Sequence, residues 1–222
     1  MKQKVIGFLG DFYHQKKPME TAIFKAADSV GLNFDCQFLT QSDFAYALAQ
    51  MPEAIVIGAE NRVNPEDAKV NVWLNDNIDD KLESYVENGG SLIVIHSGLA
   101  SYPPESKFRK LTKGSFVSHP PEHCEVRYYT PDLCGISDGS PSYDFKILDE
   151  FYIVEVDVDQ TNVFLYSSCN EHGTNLAGWY HNYGEGKVVC LVPTHNQKGF
   201  EHPETLRLFA DVLKWAMPED DY

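Results

Sequence analysis

The sequence predicts an α/β fold built on a mostly parallel sheet with helices packed against it. Two observations carry this prediction: short apolar runs typical of strands buried on both faces, and amphipathic helical segments that alternate with them through the first half of the chain. Such alternation implies parallel strands joined by right-handed crossovers. At 222 residues, without an internal repeat or a dividing linker, the chain is expected to form one domain, residues 1–222.

The first half supplies the predicted parallel strands and the helices between them. The strands are Lys4–Leu9, Asn33–Leu39, Ala54–Gly58 and Ser91–Ile95. The helices are Glu20–Val30, ended by Gly31, Phe44–Gln50, ended by Pro52, and a segment with Ile78, Leu82, Tyr85 and Val86 on its apolar face, ended by Asn88-Gly89-Gly90. The polar stretch Arg62–Asn77 is predicted to be a surface loop.

The second half departs from this rhythm. Residues 101–148 hold prolines at positions 103, 104, 120, 121, 131 and 141, a pattern that predicts loops and edge strands beside the sheet. Two β-rich segments follow, Phe151–Val158 and Thr161–Ser167. A C-terminal hairpin is predicted from Leu176–Tyr183 and Lys187–Val192 across Gly184-Glu185-Gly186. The last helix begins near Pro203, ends at Pro218 and carries the apolar stripe Leu206, Phe209, Leu213 and Ala216.

Composition restricts the class of function. Eighteen Lys and Arg against 33 Asp and Glu give a formal charge of −15, which repels phosphate backbones and anionic lipid. Nucleic acid and membranes are therefore not expected partners, and no apolar run approaches the roughly 20 residues of a spanning helix. The five cysteines form no close pair, which favours reduced thiols and a cytoplasmic location.

Three histidines follow three predicted parallel strands. His14 comes after the first strand, His96 directly after the fourth, and His195 after the strand that ends at Val192. Ligands of open α/β sheets bind outside the carboxyl ends of the strands, so these imidazoles are expected to line one pocket. If their nitrogens converge, the set suits a divalent metal such as zinc. The sequence identifies no other cofactor.

The segment Gly89–Gly98 predicts a strand leading into a sharp turn that raises one side chain above the sheet. His96 at this turn can serve as a general base, a metal ligand or a hydrogen-bond donor to a substrate oxygen, or it can simply satisfy local backbone groups. Ser97 lacks the Gly-x-Ser-x-Gly frame, which argues against a serine hydrolase. No cysteine occupies such a turn, which argues against a thiol nucleophile.

The sequence contains further candidate residues for the same site. Asp11 can orient His14, and Glu150 and Tyr152 are expected to share one face of a strand, where they can supply a base and a hydroxyl donor. His119 lies in the irregular region with no predicted placement. A surface loop or a solvated strand end remains the structural alternative for each. His181 is expected at the opposite edge, and His123, His172 and His202 at the surface.

Taken together, these segments resemble the ThuA-like (trehalose utilisation) family of the class I glutamine-amidotransferase-like superfamily. The resemblance runs through most of the chain and rests on the order and spacing of its motifs. The matching segments are Gly10–His14, Gly89–Gly98, Asp149–Tyr152 (Asp-Glu-x-Tyr), Tyr183–Lys187 (Tyr-Gly-x-Gly-Lys), Thr194-His195 and Phe200–Ala216.

The resemblance implies a three-layer, flavodoxin-like fold and a carbohydrate partner, with chemistry on keto-sugar derivatives of disaccharides. Two departures qualify it. The glutaminase cysteine of the superfamily is absent, with His96 near that place, so glutamine hydrolysis is excluded. The family's His-Pro-Ile upstream of the acidic motif has only Cys134-Gly135-Ile136 as its counterpart here.

The leading hypothesis is an enzyme, or an enzyme component, that transfers a proton next to the carbonyl of a sugar or keto-sugar. His96 and Glu150 are its acid–base candidates, and Asp11, His14, His119, Tyr152 and His195 its candidate substrate-binding groups. The alternative is a non-catalytic module that binds a sugar or a partner. A flavin-binding electron carrier is a third reading, although the hydroxyl-rich phosphate loop after the first strand is missing. Association into homo-oligomers is left open.

Overall fold

The computed structural model describes residues 3–37, 40–131 and 142–218. Within them, nine strands form one mixed sheet. Across the sheet their order is β2 (Asn33–Gln37), β1 (Lys4–Leu9), β3 (Ala54–Gly58), β4 (Ser91–Ile95), β11 (Gly186–Leu191), β10 (Gly173–Tyr183), β9 (Asn162–Cys169), β6 (Cys124–Tyr129) and β7 (Asp144–Asp149). Pro141 and the segment Cys134-Gly135-Ile136, which the sequence analysis singled out, lie outside the described residues.

Five neighbouring strands are parallel to one another, and we call them the parallel half. They are β2 (Asn33–Gln37), β1 (Lys4–Leu9), β3 (Ala54–Gly58), β4 (Ser91–Ile95) and β11 (Gly186–Leu191). Every residue of β3 and β4 is buried, as expected for strands covered on both faces. The predicted parallel α/β core is therefore confirmed.

Helices cover both faces of the parallel half. On one side α1 (Lys16–Ser29) packs against α5 (Gln197–Glu201) and α6 (Pro203–Ala216), and α6 also contacts β4 and β11. A second group joins α2 (Gln41–Ala49), α3 (Asp76–Glu87) and α4 (Lys107–Thr112). This is the three-layer arrangement, with the apolar core held between sheet and helices.

The remaining four strands are antiparallel, and we call them the antiparallel half. They are β10 (Gly173–Tyr183), β9 (Asn162–Cys169), β6 (Cys124–Tyr129) and β7 (Asp144–Asp149). The predicted hairpin exists as β10 and β11, and β11 continues into the parallel half through its pairing with β4. A separate small sheet joins β5 (Gly114–Ser118) to β8 (Ile153–Val156).

The described part of region 101–148 contains more regular structure than the prolines predict. It contains α4, β5, β6 and β7, and β6 lies inside the sheet between β9 and β7, so the expectation of edge strands was wrong for it. The prolines fall between these elements: Pro103 and Pro104 precede α4, and Pro120 and Pro121 join β5 to β6. Proline there marks the ends of elements and leaves their interiors free to pair.

Three local predictions need correction. The stretch Arg62–Asn77 is not all surface loop, because Trp73 is buried with its indole N–H donated to the Glu60 carbonyl (3.1 Å). At the start of α6 the buried residues before Phe209 are Thr205 and Leu208, whereas Leu206 is half-buried. Glu150 and Tyr152 do not lie on one face of a strand, since they belong to the turn between β7 and β8.

Among the described helices, none has the length and apolarity that crossing a bilayer requires. The ends of β1, β4 and β11 all open onto the same edge of the sheet, because these three strands run in one direction. That edge carries the residues considered next.

Candidate functional site

The three strand-end histidines meet at the carboxyl edge of the parallel half. The ring centroid of His14 lies 5.1 Å from that of His96 and 4.9 Å from that of His195, and the rings of His96 and His195 are 5.5 Å apart. Folding therefore brings together imidazoles that are far apart in the chain. The parallel direction of their strands is the cause.

His96 is placed by an unusual backbone conformation at the end of β4. Its φ is +49°, in the left-handed region that non-glycine residues rarely adopt, and a 3₁₀ turn over His96–Leu99 follows. Gly98 permits the turn, because a Cβ there would clash with the carbonyl oxygen of Ile57 on β3. Strain of this kind clusters at functional sites, and here it turns the ring into the cluster.

Hydrogen bonds fix which nitrogen of two rings carries the proton. His14 Nδ1 lies 2.7 Å from Asp11 Oδ1, and His96 Nδ1 lies 2.8 Å from the carbonyl oxygen of Val192. A carboxylate or a carbonyl can only accept, so each Nδ1 is the donor. In the neutral imidazoles each Nε2 therefore keeps a lone pair that faces the centre of the cluster.

Glu150 completes the cluster. Its Oε2 lies 3.3 Å from His96 Nε2 and 3.3 Å from His195 Nδ1. The adjacent Asp149, fully buried, accepts a hydrogen bond from the backbone N–H of His195 (2.8 Å) and one from the hydroxyl of Tyr128 (2.8 Å). Asp149 thus anchors the backbone of His195, and the neighbouring Glu150 contacts the imidazoles of His96 and His195.

Four ligand atoms converge without partners. One atom each from His14, His96, Glu150 and His195 lie within 4.8 Å of one another, and we call these residues the inner cluster. Among the described residues, His14 Nε2, His96 Nε2, Glu150 Oε2 and His195 Nδ1 have no hydrogen-bond partner. Buried polar atoms without partners are costly, and lone pairs that face each other repel. A cation at their centre would satisfy all four.

Electrostatics favour a positive charge at the inner cluster. Burial acts to raise the pKa of Glu150, but the effect of the nearby rings of His195 and His96 outweighs it, so the pKa is lowered and the carboxyl is ionised. Burial also opposes ionisation of Asp11, yet its contacts with His14 lower its pKa to about 2. For His96 burial dominates and lowers the pKa, which keeps this ring neutral.

His195 is the more accessible member. The side chains of His14 and His96 are 9% and 1% exposed, whereas that of His195 is 23% exposed. The nearby carboxylate of Glu150, 3.3 Å from its Nδ1, raises the pKa of His195 despite partial burial. The inner cluster is therefore open to solvent on the side of His195.

Two further histidines stand at this open side. His119 and His123, on the loop between β5 and β6, each place Nε2 3.9 Å from Glu150 Oε1. Their side chains are 36% and 37% exposed. The sequence analysis names His119 as a candidate but does not predict its position, and it predicts His123 at the surface. The spacing His-Pro-Pro-Glu-His was the available signal for this pair, but it cannot show which way an irregular loop folds.

Tyr152 supports the inner cluster by packing. Its ring stacks on His96 with centroids 4.0 Å apart and also lies parallel to His119 at 5.9 Å. Phe116 packs against Tyr152 from the other side of the loop (4.5 Å). The aromatic stack holds the His96 ring in place and forms an apolar wall beside the carboxylate.

The other histidines lie elsewhere. His181 is buried on β10 opposite Val188, and it does not join the cluster. His172 is exposed and packs against Phe151 (5.7 Å). His202 caps α6 by accepting from the backbone N–H of Glu204 (3.2 Å).

The fold and the site define a three-layer α/β protein that carries a histidine–carboxylate cluster at the carboxyl ends of its parallel strands. A profile of the ThuA family, described as trehalose utilisation, matches residues 4–216. The chain belongs to this family, whose description connects it with carbohydrate use. No curated protein matches the sequence.

Solved structures with the same fold are distant in sequence. A putative ThuA-like protein from Parabacteroides merdae ATCC 43184 shares 14% identity at a TM-score of 0.73, over 97% of this chain and 90% of that one. A second putative ThuA-like protein, from Bacteroides uniformis ATCC 8492, shares 15% identity at 0.65, over 99% and 93%. A cytoplasmic protein from Salmonella typhimurium shares 14% identity at 0.62, over 99% and 100%. At these identities the likeness concerns the fold alone.

Proposed function

We propose that this protein is a metal-dependent enzyme that moves a proton next to the carbonyl of a sugar or keto-sugar. The observation that carries the proposal is the inner cluster, where four unpartnered ligand atoms from separate elements of the fold converge. The histidines approach from the parallel half and Glu150 from the turn after β7.

The donor set fits a borderline divalent metal. Three imidazole nitrogens and one carboxylate oxygen are ligands that zinc takes in proteins. At bond lengths of about 2.0–2.1 Å, two ligands of a tetrahedral ion lie about 3.3–3.4 Å apart. His96 Nε2 and His195 Nδ1 each lie 3.3 Å from Glu150 Oε2, which matches this separation.

The groups behind the ligands also fit a metal centre. Ligand histidines usually donate their second ring N–H to a carboxylate or a carbonyl, which sets the tautomer and the ring orientation. Asp11 plays this part for His14, and the Val192 carbonyl plays it for His96. We therefore assign His96 to metal ligation rather than to acid–base chemistry. Its ring is buried, hydrogen-bonded to the Val192 carbonyl and stacked on Tyr152.

We assign proton transfer to the residues on the solvent-exposed side of the inner cluster. A divalent metal would polarise a substrate carbonyl and so acidify the neighbouring C–H bond. His119 and His123 lie beside the outward oxygen of Glu150 and are accessible to a ligand. An imidazole suits proton transfer near neutral pH, so one of them removes the proton from the carbon beside the carbonyl and the pair returns it to the former carbonyl carbon. The hydroxyl proton of the first carbon passes to the former carbonyl oxygen, which completes the isomerisation. The product is an isomerised keto-sugar or, with a leaving group, an elimination product.

A carbohydrate substrate is supported by the family and by a neighbouring crevice. The crevice, about 400 Å³, lies between the ends of β1 and β3 and has His14 in its wall. The aromatic ring of Phe12 and the charged groups of Glu60 and Arg62 line it. Sugars present C–H faces and hydroxyl groups, which such a mixed lining complements. It also lies at the point where the strand order reverses, the usual ligand position in this class of sheet.

A non-catalytic module remains the second candidate, and one observation favours it. The inner cluster supplies four protein ligands, the number typical of a closed structural metal site, whereas catalytic zinc usually keeps one position open. In that case the metal would brace the pocket, and the sugar would bind without turnover. In either case we propose a cytoplasmic location, in line with the description of the Salmonella neighbour.

Solvent deuterium exchange tests the enzymatic proposal. Untagged, metal-loaded protein is incubated in D₂O with the 3-keto derivative of a disaccharide, and proton NMR follows the C–H positions beside the ketone. We expect catalysed exchange at those positions, lost in Glu150→Gln and retained in His172→Ala, a matched histidine outside the cluster. Saturable binding without exchange, unaffected by Glu150→Gln, would establish the non-catalytic module instead.

A further inference from the structure

The two oxygens of Glu150 face different groups of histidines. Oε2 points to the inner cluster, whereas Oε1 lies 3.9 Å from the Nε2 atoms of both His119 and His123. We call His119, His123 and Glu150 Oε1 the outer set. We propose that the outer set is a second, weaker site for a divalent metal, bridged to the inner cluster by Glu150, and that its occupation inhibits the enzyme.

The tautomer of His119 supports this second site. Its Nδ1 lies 2.7 Å from the carbonyl oxygen of Pro120, which can only accept, so Nδ1 is the donor. In the neutral ring the lone pair of Nε2 therefore faces the carboxylate oxygen Oε1. A cation between these two acceptors would satisfy both. The backing of a ring N–H by a carbonyl is the same arrangement that His96 shows in the inner cluster.

The geometry allows two ions on one carboxylate. Two-metal sites in proteins hold their ions about 3.5–4 Å apart, a distance that a bridging carboxylate can span. His123 also lies next to the inner cluster, with its ring centroid 5.3 Å from that of His195. To reach the ligand–ligand separation typical of zinc, the Nε2 atoms of the two outer histidines need to come about half an ångström closer to Glu150 Oε1, and the two rings need to turn toward each other. Their exposed positions on the β5–β6 loop permit this movement.

The outer set should bind more weakly than the inner cluster. It offers three protein ligands, two of them more than a third exposed, against four largely buried ones. Ordering an exposed loop also costs conformational entropy. A second ion would use the lone pairs that we assign to proton transfer. This inference rests on the proposed function, since inhibition requires that His119 and His123 move the proton.

Metal titration tests the second site without reference to turnover. Untagged protein is stripped with a chelator and titrated with Zn²⁺ in competition with a chromophoric indicator. We expect about two equivalents, the second bound at least about tenfold more weakly than the first. Separate His119→Ala and His123→Ala variants should weaken the second equivalent by about tenfold or more and leave the first within about threefold. His172→Ala should retain both.

A second measurement needs no variant, because Mn²⁺ can replace Zn²⁺ in the wild-type protein and can be followed by electron paramagnetic resonance. Two Mn²⁺ ions that share Glu150 should give the spin-coupled electron paramagnetic resonance signal of a pair. One equivalent in the wild type up to millimolar Zn²⁺, or a second equivalent that persists when His119→Ala and His123→Ala are combined in one protein, would overturn the proposal. Isolated Mn²⁺ signals at full loading would do the same.

The two proposals fail in different ways. If the tight equivalent is absent, or the metal-loaded protein does not exchange deuterium, the proposed function fails whatever the outer set does. If the tight equivalent and exchange are present, the second equivalent should slow exchange as it binds. Exchange that is unchanged while the second equivalent loads would contradict the inhibitory role alone.

Discussion

The parallel and antiparallel halves of the sheet are buried differently and contribute differently to the site. In the parallel half β3 and β4 are buried at every residue, whereas in β7 burial alternates along the strand. The parallel half supplies His14, His96 and His195, and the region around the antiparallel half supplies Glu150 and the two outer histidines. The rings of His14 and His96 on the buried frame are fixed by hydrogen bonds, whereas His119 and His123 from the other side are more than a third exposed. The comparison indicates a buried histidine frame closed by a carboxylate and a more exposed loop.

A matched pair of core substitutions tests the difference in burial. Ile57 on β3 is fully buried, whereas Ile147 on the edge strand β7 is 8% exposed. We expect Ile57→Ala to reduce the free energy of unfolding by about 3–5 kcal/mol and Ile147→Ala by about 2 kcal/mol. Urea unfolding monitored by circular dichroism measures both. Equal losses would show that the two halves are equally well packed.

Removing one ligand from each side tests the division of roles. His14→Ala takes a buried ligand from the frame and should weaken the tight metal equivalent by more than about 100-fold, because removing even a supporting group costs 10–100-fold. His123→Ala should change this equivalent by less than about threefold. Competition with an indicator dye reports both affinities. A tight equivalent that depends on His123 but survives His14→Ala would reverse the assignment.

Asp11 provides a smaller test of the frame. Its carboxylate orients His14 without belonging to the ligand set. Asp11→Asn keeps the shape but weakens the hydrogen bond to His14 Nδ1, so metal affinity should fall by about 10–100-fold while the fold remains intact. The same dye competition, with a thermal melt as the control for folding, measures this. Unchanged affinity would mean that Asp11 serves only its backbone contacts, such as the one from Glu60 N–H.

The smallest predicted effect concerns the antiparallel half away from the site. Burial and the charge of Lys113 lower the pKa of His181 from 6.5 to about 4. The unfolded chain therefore binds more protons between these values, and stability should fall as the pH drops from about 6.5 to about 4. His181→Gln should not show this loss. Parallel stability curves for wild type and variant would contradict the prediction.

The sequence was informative where burial is complete. The runs Lys4–Leu9, Ala54–Gly58 and Ser91–Ile95 were predicted with the bounds that the structure shows, because strands covered on both faces are continuously apolar. Strand direction then placed His96 and His195 at one edge, since parallel strands end together. The sequence therefore predicts that these histidines share one edge of the sheet, but it does not predict the distances between their rings.

The sequence was less informative where partners are distant or irregular. Nothing in Cys124–Tyr129 shows that this strand lies inside the sheet, because its neighbours β7 and β9 are chosen by tertiary packing. The positions of Glu150 and His123 depend on a turn and a loop whose directions follow from that packing. The alternation of side chains along a strand does not apply to Glu150 and Tyr152, because the strand ends at Asp149.

Metal analysis of the purified protein tests the central claim most directly. Untagged protein is dialysed exhaustively against metal-free buffer, and its divalent metals are quantified by mass spectrometry beside the His96→Ala variant. The inner cluster predicts about one retained equivalent of zinc or a similar ion in the wild type and almost none in His96→Ala, because a tight site loses most of its affinity with one ligand. A wild-type protein that retains no metal and takes up none when zinc is added back would contradict the account.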